Sequence, residues 1–164
     1  MPNFAAVKHP LRMFSILRLV WKARRPSTVH DMPAVVDAFW LKKGYQALTF
    51  FGAIVTRTQE EADALNGPLT PVKNHEMIHL KQAVATGDSW WLFYCLYLKY
   101  WLQANRVSRR FPNAGYRLNP FEMEAYQQMN DFNYIARHCK DGATGWKQFA
   151  AMTLDERIKA IKTS

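Results

Sequence analysis

The stretch Asn74-His75-Glu76-Met77-Ile78-His79-Leu80-Lys81-Gln82 carries the pattern His-Glu-x-x-His, with the two histidines four positions apart. On a helix, side chains at this spacing project from one face, one turn above the other. Two imidazoles in this arrangement can share one zinc ion, and the intervening glutamate can accept a proton from a water that the metal activates. The sequence therefore predicts a zinc site with His75 and His79 as ligands and Glu76 as general base.

Helix-start and helix-stop signals surround this motif. Thr70 is a suitable N-cap, Pro71 suits the first helical position, and Gly87 is a natural stop, so we expect a helix over about residues 71–86. Residues 45–57 before it are rich in aromatic and β-branched side chains and are interrupted by Gly52. This composition predicts one or two strands, with a bulge or turn at the glycine.

The other segments are mostly typical of helices. We expect them over about residues 10–25, 33–41, 90–102 and 119–138, with a short terminal helix that begins at a Thr153 capping box. The fold class expected is therefore α+β and mostly helical: one domain over residues 1–164, with a small antiparallel sheet before the motif helix.

The segment Trp90–Leu98 is an unbroken apolar run, about half the length needed to span a bilayer. It is apolar nearly all round, which favours a central buried helix. Its tryptophans and tyrosines are also typical of a helix at a membrane interface, which remains the alternative. Cys95 lies in this run and Cys139 in a later helical segment. Two cysteines are too few for a disulfide framework, so we expect both to be reduced and structural, consistent with a cytoplasmic protein.

Basic residues are concentrated at the beginning of the chain. The formal net charge is +9, and the first thirty residues contain six lysines and arginines before the first acidic residue, Asp31. We interpret residues 1–30 as a basic amphipathic segment that packs on its own domain; contact with an anionic membrane surface is the alternative. No signal peptide is expected, because Arg12 and Arg18 interrupt the apolar stretch. Nucleic acid is not expected as a partner, since no recognisable motif accompanies the charge.

A catalytic zinc site usually has three protein ligands, and the motif supplies two. Glu122 and Glu124 follow Asn119-Pro120 at the start of a predicted helix. They are two positions apart and so point in nearly opposite directions, and only one of them can bind the metal. Helical geometry alone does not choose between them, and Glu122 could instead close a capping box with Asn119.

A family resemblance does choose. The motif, followed some forty residues later by Glu122-Met123-Glu124-Ala125-Tyr126, resembles the gluzincin arrangement of H-E-x-x-H plus a glutamate on a later helix. The second segment resembles the E-x-E-A-D segment of membrane-associated and related zinc peptidases, in which the first glutamate is the third zinc ligand. That role maps onto Glu122, and Tyr126 replaces the aspartate. Residues 45–138 are also similar to a group of small uncharacterised bacterial zincin-like proteins.

The resemblance implies a compact zincin-like domain with a metallopeptidase-like core over residues 45–138. It also implies a Zn²⁺ cofactor, a peptide or protein substrate, and hydrolysis of peptide bonds. Tyr126 is the first candidate for stabilising the oxyanion because it lies one turn beyond Glu122, ahead of Tyr116 and Arg117. The alternative function is a non-catalytic module, either stabilised by zinc or bound to a membrane surface.

Overall fold

The computed structural model describes residues 18, 20–36 and 47–163. The predicted helix over residues 10–25 lies largely outside this range. The elements follow in this order: a 3-10 helix Pro26–Thr28, β1 Ala34–Val36, β2 Ala47–Phe50, β3 Ala53–Thr56, α1 Gln59–Asn66, α2 Pro71–Ala85, α3 Trp90–Asn105, α4 Ala114–Arg117, α5 Pro120–Gln128, α6 Tyr134–His138, α7 Trp146–Ala151 and α8 Leu154–Thr163. The expected mostly helical α+β fold is confirmed.

The described strands form one mixed sheet in the order β1-β3-β2. β2 and β3 are antiparallel neighbours joined by a two-residue turn at Phe51 and Gly52. Both turn residues have positive φ, 47° and 86°, as a type I′ hairpin requires, and the glycine adopts this conformation without strain. The predicted strands and turn are confirmed. The sheet is mixed rather than purely antiparallel because β1 pairs in parallel with β3.

The helix predicted over residues 33–41 is wrong where the structure describes it, because residues 34–36 form β1. The backbone N–H of Ala34 donates to Asn66 Oδ1 over 2.9 Å, and Asn66 Nδ2 donates back to the Ala34 carbonyl over 3.0 Å. The two valines that follow pair with β3. The β-branched side chains of these valines suit a strand. The hydrogen-bonding partners of β1 lie 20 to 32 positions further along the chain.

The motif helix α2 has the predicted boundaries to within one residue. Thr70 Oγ1 accepts from the Lys73 backbone N–H, and Gly87 follows the helix with φ of 79°. α2 packs against β2, α3 and α5, and Leu80 and Ile78 on different sides of the helix are buried in two separate apolar clusters. The motif is therefore held at the centre of the described domain.

The aromatic helix α3 is not the central buried helix that the sequence favoured. It buries Trp90, Phe93 and Ala104, whereas Trp91 is 65% exposed and both Leu98 and Leu102 are 55% exposed. The helix whose sequence is apolar nearly all round thus has one apolar side that faces solvent. Among the described residues, no helix combines the length and the apolarity that crossing a membrane requires.

The two cysteines lie in different surroundings. Cys95 on α3 is exposed and Cys139 is buried, and both are free thiols. Cys139 is packed in an apolar core cluster, as expected of a structural cysteine, but the structural role expected of Cys95 is wrong because its side chain is not packed in the core.

The helix predicted over residues 119–138 is divided into α5 and α6. Asn74 of α2 explains the break, because its side-chain amide donates to the backbone carbonyls of Gln128, Met129 and Asp131 at 2.9–3.4 Å. Carbonyls at a helix end need such partners when they are buried. The predicted capping box of the last helix is confirmed, since Thr153 Oγ1 accepts from the Glu156 N–H and the Glu156 carboxylate accepts from the Thr153 N–H.

Candidate metal centre

The structure brings His75, His79 and Glu122 together. The histidines lie one turn apart on α2, and Glu122 lies in the first turn of α5. His75 Nε2 is 3.1 Å from His79 Nε2 and 3.2 Å from Glu122 Oε2, and His79 Nε2 is 3.4 Å from Glu122 Oε1. In the part of the chain that the structure describes, these three residues form a buried group that can hold a metal ion.

The donor set fits a tetrahedral divalent ion. Zinc bonds of about 2.0–2.1 Å place neighbouring ligand atoms about 3.3–3.4 Å apart, close to the three separations observed. Glu122 Oε2 is buried and forms no hydrogen bond with the described residues. A buried carboxylate oxygen without a donor is costly, and a cation at this position would satisfy it.

The electrostatics of the site also favour a cation. Burial lowers the pKa of His79, but contact with the Glu122 carboxylate outweighs this effect and raises it to about 9. Burial opposes ionisation of Glu122 in turn, yet the neighbouring His79 and His75 hold the pKa of Glu122 well below its usual range. The carboxylate therefore stays charged, and either a proton on the histidine or a metal ion balances it.

Glu124 is not in a position to bind this metal. Its carboxylate faces the opposite side of α5 and is fully buried there, where it accepts four hydrogen bonds: from Gln82 Nε2 and the Tyr134 hydroxyl at 2.7 Å, from the Gly145 N–H at 2.8 Å and from the Trp146 N–H at 3.0 Å. Its role is to fasten α2, α6 and the start of α7 to α5. The capping-box alternative for Glu122 is also absent, because Asn119 Oδ1 accepts from the Phe121 N–H.

Gln82 orients His79, one of the two candidate histidine ligands, and the sequence analysis missed it. Its Oε1 lies 2.7 Å from His79 Nδ1, while its Nε2 donates to Glu124 and to the Phe121 carbonyl. Because Gln82 Oε1 can only accept, His79 Nδ1 carries the proton and Nε2 offers its lone pair to the site. The signal was available: Gln82 lies three residues after His79, on the same side of a helix.

Thr49 holds the proposed general base and was also missed. Its hydroxyl on β2 lies 2.6 Å from Glu76 Oε2 and 3.2 Å from the Glu76 carbonyl. Glu76 is 5% exposed. One oxygen of the carboxylate is thus fixed by the sheet, which restricts the side-chain rotamers of the base. A strand residue 27 positions earlier could not be linked to the motif from spacing alone.

The three oxyanion candidates lie in different places. Tyr126 is half exposed and packs its ring edge-on against His75, with centroids 4.6 Å apart. Its hydroxyl lies 2.8 Å from that of Tyr116, which lines the cavity beside the metal centre. Burial, reinforced by the Glu122 charge, raises the pKa of Tyr116 far above its usual value, so its hydroxyl stays protonated and able to donate. Arg117 instead lies over the Phe111 ring, 4.8 Å from its centroid.

A cavity of about 480 Å³ adjoins the metal centre. Residues of β2 line part of it, and aromatic side chains, most of them from α3, line much of the rest. Its lining comprises Ala47, Leu48, Thr49, Phe50, His75, Glu76, His79, Phe93, Tyr94, Tyr97, Trp101, Tyr116 and Glu122. Tyr97 also donates from its hydroxyl to Glu122 Oε1 over 2.8 Å, which fixes the orientation of this carboxylate. The ligand group and Glu76 therefore face one space that is large enough for part of a substrate.

Comparison with known proteins adds no relative to this description. Searches of protein-family models, curated proteins and solved structures found no match to the chain. The geometry of His75, His79 and Glu122 is therefore what indicates metal binding.

Proposed function

We propose that this chain is a gluzincin-type zinc metallopeptidase that hydrolyses peptide bonds. One observation carries the proposal: three buried side chains that could bind a metal ion, and a glutamate next to the first of them, converge on one cavity. A structural zinc site usually has four protein ligands, whereas a catalytic site usually has three and keeps one position for water or substrate. The described residues supply three, which favours the catalytic alternative.

Each residue of the site has a separate task in this proposal. Bound zinc would supply Lewis-acid polarisation of the attacking water and of the substrate carbonyl. Glu76 accepts a proton from the water as the water oxygen attacks the carbonyl carbon. Glu76 then returns this proton to the amine as the C–N bond breaks. Thr49 keeps the Glu76 carboxylate in place, and Gln82 keeps His79 in the tautomer that leaves Nε2 unprotonated.

The hydroxyls of Tyr116 and Tyr126 lie 2.8 Å apart and the Tyr126 ring packs against His75, so these hydroxyls are the candidates for donating to the developing oxyanion. Tyr116 lines the cavity, whereas Tyr126 contacts His75 through its ring. We therefore assign the donation to Tyr116 and a supporting position to Tyr126, which reverses the order that helix spacing alone suggested.

The test compares the wild-type chain with Glu76→Gln, His79→Ala and the control Glu60→Gln, the same substitution at an exposed position on α1. We expect one zinc per chain in the wild type, Glu76→Gln and Glu60→Gln, and none in His79→Ala. Cleavage of a quenched fluorescent peptide library should fall by about 10²–10⁴-fold in Glu76→Gln and stay unchanged in Glu60→Gln. Zinc-loaded wild type that cleaves no peptide would instead support the non-catalytic, zinc-stabilised module.

A further inference from the structure

The side of α3 that faces away from the domain is unusually apolar for a surface. Trp91, Cys95, Leu98 and Leu102, here called the outer face of α3, lie within an arc of about 60° at 100° per residue and extend over about 16 Å. Trp91 is 65% exposed, and both leucines are 55% exposed. Contiguous apolar patches of this kind mark interaction sites more often than isolated exposed leucines do.

Apolar neighbours extend the outer face on both flanks. Leu92 is 46% exposed on one side, and Trp101 is 37% exposed on the other. Trp21, which is 90% exposed, precedes a segment that docks at the start of the helix, where Trp90 Nε1 donates to the Arg24 carbonyl over 2.8 Å. Exposed tryptophans around an aliphatic centre are typical of a surface that enters the interfacial region of a bilayer.

Positive charge surrounds this apolar surface. Residues 89–121 contain five lysines and arginines and no acidic residue. Lys99 is exposed beside the outer face, and Arg106 and Arg109 are exposed beyond its C-terminal end. At the N-terminal end Arg24 and Arg25 are exposed, and the nearby Asp88 carboxylate accepts from the Ser27 N–H and hydroxyl, both at 2.7 Å. An apolar centre with a cationic rim matches an anionic lipid surface in both polarity and charge.

We propose that the outer face of α3 binds the surface of an anionic lipid bilayer. The helix axis lies parallel to the membrane plane. Trp91, Leu98 and Leu102 insert at the boundary between the lipid headgroups and the acyl chains, and the arginines lie at the phosphates. Trp101 both flanks the outer face and lines the cavity of the metal centre. Bound in this way, the protein holds the cavity beside the lipid headgroups, without depending on whether the metal centre is catalytic.

The first test is co-sedimentation of the full chain with phosphatidylcholine vesicles, with and without phosphatidylglycerol. We expect binding to the anionic vesicles that weakens as salt is raised, and little binding to phosphatidylcholine alone. The triple variant Trp91→Ser/Leu98→Ser/Leu102→Ser should bind at least about tenfold more weakly. The control Leu69→Ser/Phe132→Ser removes apolar side chains that are 44% and 47% exposed on other parts of the surface, and it should bind like the wild type.

A second measurement needs no substitution in the outer face of α3. Cys95 is exposed on the outer face, whereas Cys139 is 1% exposed, so a polarity-sensitive fluorophore will label Cys95 in the native protein. Its emission should shift to the blue with anionic vesicles and stay unchanged with phosphatidylcholine. Glu76→Gln should give the same shift as the wild type, which separates this proposal from the proposed peptidase activity.

Three results would overturn the proposal. The wild type fails to bind anionic vesicles at low salt, or the triple variant binds as tightly as the wild type. The third such result is a wild-type protein that is dimeric and a triple variant that is monomeric, which would assign the outer face to an interface between two copies of the chain.

Discussion

The two buried glutamates of α5 are expected to respond in opposite ways when each is replaced by glutamine. Glu122→Gln replaces the anionic metal ligand with a neutral amide of the same size. Zinc affinity should fall by more than the roughly 100-fold that losing an outer partner of a ligand causes. Glu124→Gln should leave zinc affinity within about tenfold of the wild type, because Gln82 is still held by the Phe121 carbonyl.

The stability cost of Glu124→Gln follows from its four hydrogen bonds. Each carboxylate oxygen accepts one backbone N–H, from Gly145 at Oε1 and from Trp146 at Oε2. Whichever oxygen the amide nitrogen replaces, one buried backbone N–H loses its acceptor. That loss costs about 1–3 kcal/mol, and weaker bonds to the remaining neutral oxygen add to it. The midpoint of thermal unfolding should therefore fall by roughly 2–12 °C for a chain of this size.

The assay is competitive zinc titration against a chromophoric chelator, followed by thermal unfolding of the metal-free proteins by circular dichroism. The two variants act as controls for each other, because each removes one buried negative charge from the same helix. The reasoning is wrong if Glu124→Gln loses zinc as severely as Glu122→Gln. It is equally wrong if Glu122→Gln retains wild-type affinity.

Three further predictions concern the residues around the ligands. Thr49→Val removes the 2.6 Å hydrogen bond to Glu76 and should lower kcat by about tenfold with zinc content and KM unchanged. Thr49→Ser keeps the hydroxyl and should have the wild-type kcat. An unchanged kcat in Thr49→Val would exclude a positioning role. Gln82→Met should weaken zinc binding by about 10–100-fold in the chelator titration, since His79 loses the acceptor that fixes its tautomer, and wild-type affinity would contradict this assignment. In the metal-free protein, the raised pKa of His79 contributes stability that is complete below pH 6.5 and is lost as pH rises through about 9. The lowered pKa of Glu122 contributes stability that is present above about pH 4.5 and is lost at lower pH. Thermal unfolding should therefore show greatest stability between these limits and a decline toward pH 9 that zinc abolishes; a profile that is the same with and without metal would refute the coupling.

Local signals predicted the parts of the fold that local interactions determine. Thr70 and Pro71 mark the start of α2 because their effects on a helix terminus act within one turn. Gly52 marks the hairpin because the turn needs positive φ at that position. The same holds for the Thr153 capping box. These features depend on residues no more than four positions apart, so a single sequence contains the information.

The predictions that were wrong involve distant partners. β1 is a strand because β3 and Asn66 supply its hydrogen bonds, and α5 ends early because Asn74 satisfies the carbonyls beyond it. The outer face of α3 carries the residue types of a core helix. Composition alone does not distinguish a helix side that is buried inside the protein from an apolar side that lies at its surface. Sequence periodicity indicates that a side is apolar, but only the positions of the other elements show whether the protein itself buries it.

The choice of the third ligand shows where this limit lies. Glu122 and Glu124 are equally plausible from helix geometry because each lies beside the apolar side of α5, and both are in fact buried. What separates them is the set of groups on either side of the helix. Glu122 meets two imidazole nitrogens and one phenol, so its charge needs a cation. Glu124 meets four N–H and O–H donors that satisfy its charge without one. The segment that resembles the gluzincin glutamates thus places its first carboxylate in the group that can hold a metal ion, and its second carboxylate fastens the helix that positions the first. Gln82, bonded to both Glu124 and His79, connects these two tasks, and because the Phe121 carbonyl also holds Gln82, losing the Glu124 carboxylate alone should change zinc affinity by less than about tenfold.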